Sequence, residues 1–389
     1  MLREPGNRMG TDHPKAAYVH IPFCVSKCHY CEFNSYPGLD FLFSDYVDAL
    51  VMEIERVSSH MEPAELDTVY FGGGTPTILP PADLSWILFT ISDNIGIAPG
   101  AEVTTEANPG TVDQEKLSEL RRAGFNRVSL GVQSFDDSFL ARIGRAHSIS
   151  QALDAYSAIR RAGFANVGID LMFALPGQTV DIWECTLAAA VGLGPEHISL
   201  YELSIEEGTR FAELCAEGVL ELPDEDEQIV MYELAIEKLT AGGYEHYEVS
   251  NFARPGFRSR HNQVYWRNDP YYGFGAGATG YVDGDRSRRI AAPSDYIRAI
   301  SSGSDAIEFT EHLTGRAYLS ETIIQGLRML EGIDLNEFER RTGVDITKEF
   351  ATQVNGLRDR GLIEIAGSRI RVTHTGLLLL NDVSREFLS

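Results

Sequence analysis

Short apolar runs alternate with amphipathic helical segments from residue 16 onward. The first run is AAYVHIPF, which is rich in β-branched and aromatic residues, and SDYVDALVMEIERVSSH after it has apolar residues at helical spacing. Five further strands are predicted at DTVYF, AEVTTEA, NRVSLGVQS, NVGIDLMFAL and HISLYELSI. Strand–helix units at intervals of roughly 30 to 50 residues are typical of a parallel barrel. The pattern predicts an α/β fold with an open, partial (β/α)6 barrel over about residues 16–215.

The hydrophobic pattern changes after the barrel. Residues 216–310 predict an α/β extension, with a helix at LPDEDEQIVMYELAIEKLTAGGY and then a strand and a hairpin joined by an aromatic-rich loop. Residues 311–389 predict a C-terminal helical module whose end, from GVDITKEF onward, has the helix, strand–turn–strand, helix order of a winged helix. Residues 1–15 predict a disordered lead-in.

The amino-acid composition of the chain indicates which kinds of partner it can bind and where in the cell it is found. The net charge of −24, with no run of Lys and Arg, argues against nucleic acid and favours packing of the winged-helix-like module against its own protein. No segment has the roughly 18 apolar residues of a membrane span, and the N-terminal residues lack the apolar core of a signal peptide. We therefore expect a cytoplasmic protein without a membrane span, for which peripheral membrane contact stays open. Disulfides are rare in the cytosol, so clustered cysteines there indicate metal or redox chemistry.

A cysteine triplet directly follows the first predicted strand, where a barrel places its functional loops. The triplet has the spacing C-x3-C-x2-C and consists of Cys24, Cys28 and Cys31. A structural zinc site usually has four protein ligands, and His29 would have to fold back to complete one. Cys185 and Cys215 lie far along the chain and are interpreted as small buried residues. A [4Fe-4S] cluster fits better, because three thiolates leave one iron open to a small molecule.

With Tyr30 before its last cysteine, the triplet resembles the signature of radical S-adenosylmethionine (SAM) proteins. In that family the amino and carboxylate groups of SAM bind the open iron, and one electron cleaves SAM to a 5′-deoxyadenosyl radical. The second strand ends in Phe71-Gly72-Gly73-Gly74-Thr75-Pro76-Thr77. Glycines let a backbone approach a ligand closely, although a simple glycine-rich turn is the better explanation of this motif taken alone. GGGTPT resembles the form found in the coproporphyrinogen dehydrogenase (HemN-like) branch.

Further polar residues mark the ends of later strands, where each one alone could equally be a structural cap or part of an ion pair. The resemblance implies that these positions and the glycine motif contact SAM, with acids at ribose hydroxyls or the amino group and arginine at a carboxylate. The implied SAM contacts are Tyr18, Gly72, Gly73, Gly74, Thr75, Glu106, Gln133, Arg145, Asp170 and Ser204.

The second informative stretch is RHNQVYWRNDPYYGFGAGATGY, residues 260–281. An imidazole beside flat aromatic surface suits a porphyrin with an axial ligand, but it equally suits a hydrogen-bonded histidine in an aromatic core. The motif H-N-x-x-Y-W resembles that of the HemW-type heme chaperones. The resemblance implies heme contact through His261, Asn262, Tyr265 and Trp266.

The HemW-type family is similar to the coproporphyrinogen dehydrogenases but lacks their fourth cysteine and long N-terminus. Here Phe33 stands two residues after the third cysteine, and about 23 residues precede Cys24. The resemblance therefore implies a heme carrier that binds a [4Fe-4S] cluster, SAM and heme and delivers heme to respiratory proteins, as a monomer or homodimer. Two alternatives stay open: an oxygen-independent coproporphyrinogen III oxidase, and a radical SAM enzyme with an unrelated substrate, in which His261 is a core residue.

Overall fold

A computed structural model describes residues 13–60 and 65–388 of the chain. Residues 1–12 of the predicted lead-in lie outside the described residues. The prediction of disorder is wrong for residues 13–15, because Pro14 is buried and the Lys15 carbonyl accepts hydrogen bonds from the backbone N–H groups of Asp67 and Thr68. These backbone bonds hold the chain in place before the first strand begins.

The first eleven strands belong to the barrel sheet and to a short loop pair. They are β1 (Ala16–Ile21), β2 (Phe23–Cys24), β3 (Tyr36–Pro37), β4 (Leu66–Gly73), β5 (Ile97–Ala107), β6 (Arg127–Gln133), β7 (Asn166–Phe173), β8 (His197–Glu202), β9 (Glu245–Glu248), β10 (Asn251–Ala253) and β11 (Tyr272–Phe274). Within the described residues, nine of them form one sheet in the order β11-β1-β4-β5-β6-β7-β8-β10-β9. The six predicted strands are its parallel centre, β1 and β4 to β8, which confirms the partial (β/α)6 unit.

Helices cover the outer face of this sheet. They are α1 (Phe43–Ser58), α2 (Pro81–Asn94), α3 (Gln114–Ala123), α4 (Asp137–Arg142), α5 (Ile149–Arg161) and α6 (Val180–Leu193). Every residue of β6 is buried, as expected of a parallel strand covered on both faces. The side chain of Asp113 caps the start of α3, and Gly124 ends it with φ +119°, which confirms the predicted glycine C-cap.

The extension completes the sheet at both edges. Strand β11 pairs in parallel with β1, and β10 pairs antiparallel with β8. The helices that follow β8 are α7 (Arg210–Ala216), α8 (Glu225–Ala241), α9 (Arg260–Trp266) and α10 (Pro293–Ser301). The prediction of a loop over residues 260–281 is wrong for residues 260–266, because the Ser259 side chain accepts a hydrogen bond from the Asn262 backbone N–H and starts α9. A second sheet follows, made of β12 (Thr279–Val282), β13 (Asp285–Arg289) and β14 (Ile307–His312).

The C-terminal part has its own hydrophobic core. Its elements are α11 (Gly315–Gly326), β15 (Ile333–Asp334), α12 (Leu335–Thr342), α13 (Ile346–Glu349), α14 (Ala351–Asp359), β16 (Ile363–Ala366), β17 (Arg369–Val372), α15 (His374–Leu378) and α16 (Leu380–Phe387). The predicted helix, strand–turn–strand, helix order is present in α14 to α15. This part packs on the extension through backbone hydrogen bonds from Val249 N to Arg328 O and from Leu330 N to Tyr247 O, both 3.1 Å. Among the described residues, no helix is long and apolar enough to cross a membrane.

Candidate cofactor and ligand site

The three clustered cysteines line one cavity of about 320 Å³ at the carboxyl-terminal ends of the parallel strands. They lie on the loop between β1 and α1, where β2 and β3 pair in parallel. Lys27 Nζ donates to the carbonyls of Phe33 at 2.8 Å and Ser35 at 3.2 Å, which closes this loop. Cys24, Cys28 and Cys31 are all free thiols and partly exposed.

The donors in this cavity fit an iron–sulfur cluster, because its irons are bound by separate cysteine thiolates. Within the described ranges, no three His, Cys, Asp or Glu side chains are arranged to hold one metal ion. His29 does not line the cavity, and its Nδ1 lies 3.0 Å from the Arg142 carbonyl.

The interpretation of Cys185 and Cys215 as buried residues is wrong, since both are exposed. They lie on the solvent-facing sides of α6 and α7, which the apolar composition of these segments concealed.

Tight packing explains the glycines of the FGGGTPT motif. Gly73 has φ +111°, and a Cβ there would lie 2.5 Å from the His20 imidazole. A Cβ on Gly74 would lie 2.5 Å from the Phe23 carbonyl oxygen, and one on Gly72 would lie 2.8 Å from Tyr70. Gly73 and Gly74 line the cavity, whereas Gly72 does not. Close approach of a ligand is therefore not the main reason for glycine here, since protein atoms already occupy the space that side chains would need.

Carboxyl and amide groups from three strand ends face this cavity. Glu106 accepts hydrogen bonds from Tyr70 OH at 2.7 Å and from the Gly73 backbone N–H at 3.2 Å. Burial raises the pKa of Glu106 to about 7 and also raises the pKa of Asp170. Gln133 has φ +65°, and its buried Oε1 has no hydrogen-bond partner among the described residues. An unpaired buried oxygen beside a cavity fits a site that is completed by a polar ligand.

Arg145 lies at the junction between the cysteine loop and the strand ends. Its guanidinium donates to the Gly131 carbonyl at 2.7 Å, to the Asn108 side chain, and to Cys28 Sγ at 3.6 Å. Asn108 was not predicted as a site residue, although its place two residues after Glu106 is the kind of signal that could have found it. Eight predicted SAM contacts line the cavity: Gly73, Gly74, Thr75, Glu106, Gln133, Arg145, Asp170 and Ser204. Tyr18 does not line it.

A second cavity, also of about 320 Å³, adjoins the first. Phe33, Gly73 and Glu106 line both. The remaining lining residues come from β1, the cysteine loop and the extension: Tyr18, His20, Asn34, Tyr265, Tyr271, Gly277 and Thr279. The barrel and the extension thus build one continuous site from two adjoining cavities.

Only part of the H-N-x-x-Y-W motif reaches this second cavity. His261 is 1% exposed, with Nδ1 at 2.8 Å from Thr68 Oγ1 and Nε2 at 2.8 Å from Tyr265 OH. Burial lowers its pKa to about 3, so the imidazole is neutral. Of the interpretations that the sequence left open for His261, a hydrogen-bonded core histidine describes this geometry.

Tyr265 lines the second cavity, whereas Asn262 and Trp266 do not. Trp266 instead packs in a small cluster with Tyr247, Ala253 and Met329. The Arg328 guanidinium stacks 4.3 Å above its ring centroid. Trp266 therefore joins α9 to the C-terminal part.

The chain is similar to known proteins over almost its full length. The Radical SAM superfamily model matches residues 18–188, and the HemN C-terminal domain model matches residues 313–379. Heme chaperone HemW of Bacillus subtilis is 37% identical, covering 96% of this chain and 99% of the relative. Heme chaperone HemW of Mycobacterium tuberculosis is 36% identical, covering 99% and 97%. Heme chaperone HemW of Escherichia coli is 33% identical, covering 97% and 98%.

The coproporphyrinogen III oxidase HemN of Escherichia coli has the same fold, with a TM-score of 0.84 at 24% sequence identity over 98% of this chain and 91% of that one. At this identity the likeness establishes only the fold. The relatives above are more similar in sequence and match in length, and the H-N-x-x-Y-W motif and the cysteine triplet are both present. The chain belongs to the HemW heme chaperone family within the radical SAM superfamily.

Proposed function

We propose that this chain is a heme chaperone that binds a [4Fe-4S] cluster, SAM and heme, and that it delivers heme to respiratory proteins. The observation that carries the proposal is the pair of adjoining cavities. One contains the three thiolates and the strand-end acids, and the other is lined by tyrosines of the barrel and the extension. The relatives named above are heme chaperones, which supports the same function.

In the first cavity, Cys24, Cys28 and Cys31 would hold the cluster, which supplies an electron for reductive cleavage of SAM when both are bound. SAM is cationic at its sulfonium and ammonium groups, so the carboxyl groups of Glu106 and Asp170 suit it. Arg145 offers the guanidinium that would pair with its carboxylate.

In the second cavity, Tyr18, Tyr265 and Tyr271 offer a flat, mostly apolar surface to a porphyrin face. Phe33 lies where the two cavities meet and is 62% exposed. A phenyl ring at this position can stack on a porphyrin, but it cannot supply the thiol that the coproporphyrinogen dehydrogenases carry there. This residue favours a heme carrier over the dehydrogenase alternative.

The cluster is tested by iron content after anaerobic reconstitution. We expect about four irons per chain in the unmutated protein. Replacing Cys24, Cys28 or Cys31 with Ala should remove most of this iron, because each thiolate binds a different iron. Cys185→Ala and Cys215→Ala are the matched controls and should keep it. Zinc in place of iron in protein prepared without oxygen would contradict this assignment.

The carrier function is tested with two assays on the same cluster-loaded protein. Heme titration followed by absorbance should show saturable binding, and heme-loaded protein should lose heme to a heme-free respiratory cytochrome but not to a protein without a heme site. An anaerobic turnover assay with SAM and coproporphyrinogen should show no enzymatic conversion. Conversion at an enzymatic rate would instead establish the dehydrogenase, and failure to bind heme would end the carrier proposal.

A further inference from the structure

Tyr265 is the residue of the H-N-x-x-Y-W motif whose side chain lines the second cavity. Its hydroxyl lies 2.8 Å from His261 Nε2. We propose that the phenolate oxygen of Tyr265, and not the His261 imidazole, ligates the iron of ferric heme, and that His261 acts on this oxygen as its hydrogen-bond partner. This inference rests on the proposed heme-binding function and specifies the atom that holds the iron.

His261 is poorly placed to bind iron itself. Both ring nitrogens are engaged, one by the Thr68 hydroxyl of β4 and the other by Tyr265 OH, each at 2.8 Å. The imidazole also stacks on the Tyr70 ring, with centroids 5.1 Å apart. Rotating the ring to free a nitrogen would leave buried polar partners unpaired, which is unfavourable. Tyr265 already lines the cavity, and its oxygen can keep the hydrogen bond to His261.

A phenolate is an established axial ligand of heme iron in proteins. When it forms here, the Tyr265 O–H bond breaks and an iron–oxygen bond replaces it. The proton is released to solvent, and the neutral imidazole of His261, in the tautomer with its hydrogen on Nε2, donates a hydrogen bond to the phenolate oxygen; no electron is transferred. The Thr68 hydroxyl can accept from Nδ1 or donate to it, so it supports His261 in either tautomer. Such a hydrogen bond behind a metal ligand orients the ligand and tunes its basicity.

Two other tyrosines line the same cavity, and Tyr18 is the stronger competitor. Its hydroxyl lies 2.9 Å from His20 Nδ1, so it also has a histidine partner. Tyr18 lies close to Glu106, however, because a Cβ on Gly72 would be 3.1 Å from both side chains. A phenolate at Tyr18 would therefore face a carboxylate. Burial raises the pKa of both tyrosines, but Glu106 is the strongest charged neighbour acting on Tyr18, whereas at Tyr265 its effect is smaller than those of Tyr271 and Tyr18. This difference favours Tyr265 as the anionic ligand.

The ligand is identified by resonance Raman spectroscopy of ferric heme bound to cluster-loaded protein that carries ring-deuterated tyrosine. We expect iron-linked phenolate vibrations that shift on deuteration. They should disappear in Tyr265→Phe and persist in Tyr18→Phe and Tyr271→Phe, which remove the same hydroxyl group from other walls of the cavity. His261→Gln should keep the phenolate vibrations but weaken heme binding by roughly 10–100-fold, as loss of a hydrogen-bond partner behind a metal ligand usually does.

Each variant is first compared with the unmutated protein for iron content and thermal unfolding, so that a folding defect is recognised. Phenolate vibrations that persist in Tyr265→Phe, or that are lost only in Tyr18→Phe, would overturn the inference. An imidazole-ligated spectrum that is lost in His261→Gln would also overturn it and leave the heme carrier intact. If the unmutated protein binds no heme, the proposed function itself fails.

Discussion

At the scale of single residues, Gly73 is the last residue of β4 and lines both cavities. Its φ of +111° is strained for any residue with a side chain, and the His20 imidazole occupies the space a Cβ would need. Gly192, near the end of α6, is the opposite case, since no heavy atom lies within 4 Å of the position that a Cβ would take there.

We expect Gly73→Ala to lower the free energy of unfolding by about 1–3 kcal/mol from backbone strain, with the contact to His20 adding to the loss. Gly192→Ala is the matched control and should raise it by about 0.5–1 kcal/mol, because alanine favours a helix interior. Urea unfolding of both variants measures the difference. Equal effects of the two substitutions would show that the conformation at Gly73 is not constrained.

Glu106 gives the molecule a specific pH dependence. Burial raises its pKa to about 7 from 4.5, so the folded protein keeps a proton that the unfolded chain has already released. Stability therefore falls as the pH rises from about 4.5 to about 7. In SAM-free protein, Glu106→Gln should remove this fall, which amounts to about 3 kcal/mol at most. Urea unfolding of both proteins between about pH 5 and about pH 8 tests this prediction. If the free energy of unfolding depends on pH in the same way in the two proteins, the prediction is wrong.

At the scale of elements, one buried carboxylate on α1 holds the extension against the barrel. Glu53 is 1% exposed and accepts hydrogen bonds from the Gly275 backbone N–H at 2.8 Å and from Tyr296 OH at 2.6 Å. It also pairs with Arg289 of β13. A single helix thereby fixes the segment after β11, the second sheet and α10.

We expect Glu53→Gln to lower the free energy of unfolding by roughly 3–5 kcal/mol, because the guanidinium of Arg289 would be left buried without its counter-charge. Glu55→Gln, on the exposed face of the same helix, is the matched control and should change stability by less than about 0.5 kcal/mol. Thermal and urea unfolding measure both. A small effect at Glu53 would mean that packing alone holds the extension.

At the scale of the whole molecule, the C-terminal part braces the end of α9. The Arg341 guanidinium donates to Asp269 Oδ1 at 2.8 Å, to the Arg267 carbonyl at 2.6 Å, and to the Asn268 carbonyl. Because Tyr265 lies on α9, this brace also supports the second cavity. The C-terminal part is thus connected to the site without lining it.

Arg341→Ala should therefore lower the free energy of unfolding by about 1.5–3 kcal/mol, the usual range for hydrogen bonds that involve a charged group. We also expect faster amide hydrogen exchange in α9, because the chain after it loses three contacts. Arg385→Ala is the control, since its ion pair with Asp382 lies on the surface and is worth about 0–1 kcal/mol. Unchanged exchange in α9 would show that the brace is not needed there.

Local features of the chain were predictable wherever their cause is also local. The strand–helix alternation follows from side-chain periodicity, and it placed all six parallel strands. The cysteine spacing and the polar residues at strand ends could likewise be read from short segments, because a barrel brings its strand ends to one edge. Most of the expected SAM contacts consequently line one cavity.

Features that depend on distant partners were not predictable. One partner of His261 is Thr68, which is 193 positions away in the chain, and burial among such distant segments keeps the imidazole neutral. The short strand β11 is held by its pairing with β1 at the edge of the sheet, so its own residues carry little signal. The chain alone determined the barrel, the thiolate triplet and the family to which the motifs point. Only tertiary packing decided which motif residue faces the second cavity, because that depends on hydrogen bonds between segments that are far apart in sequence.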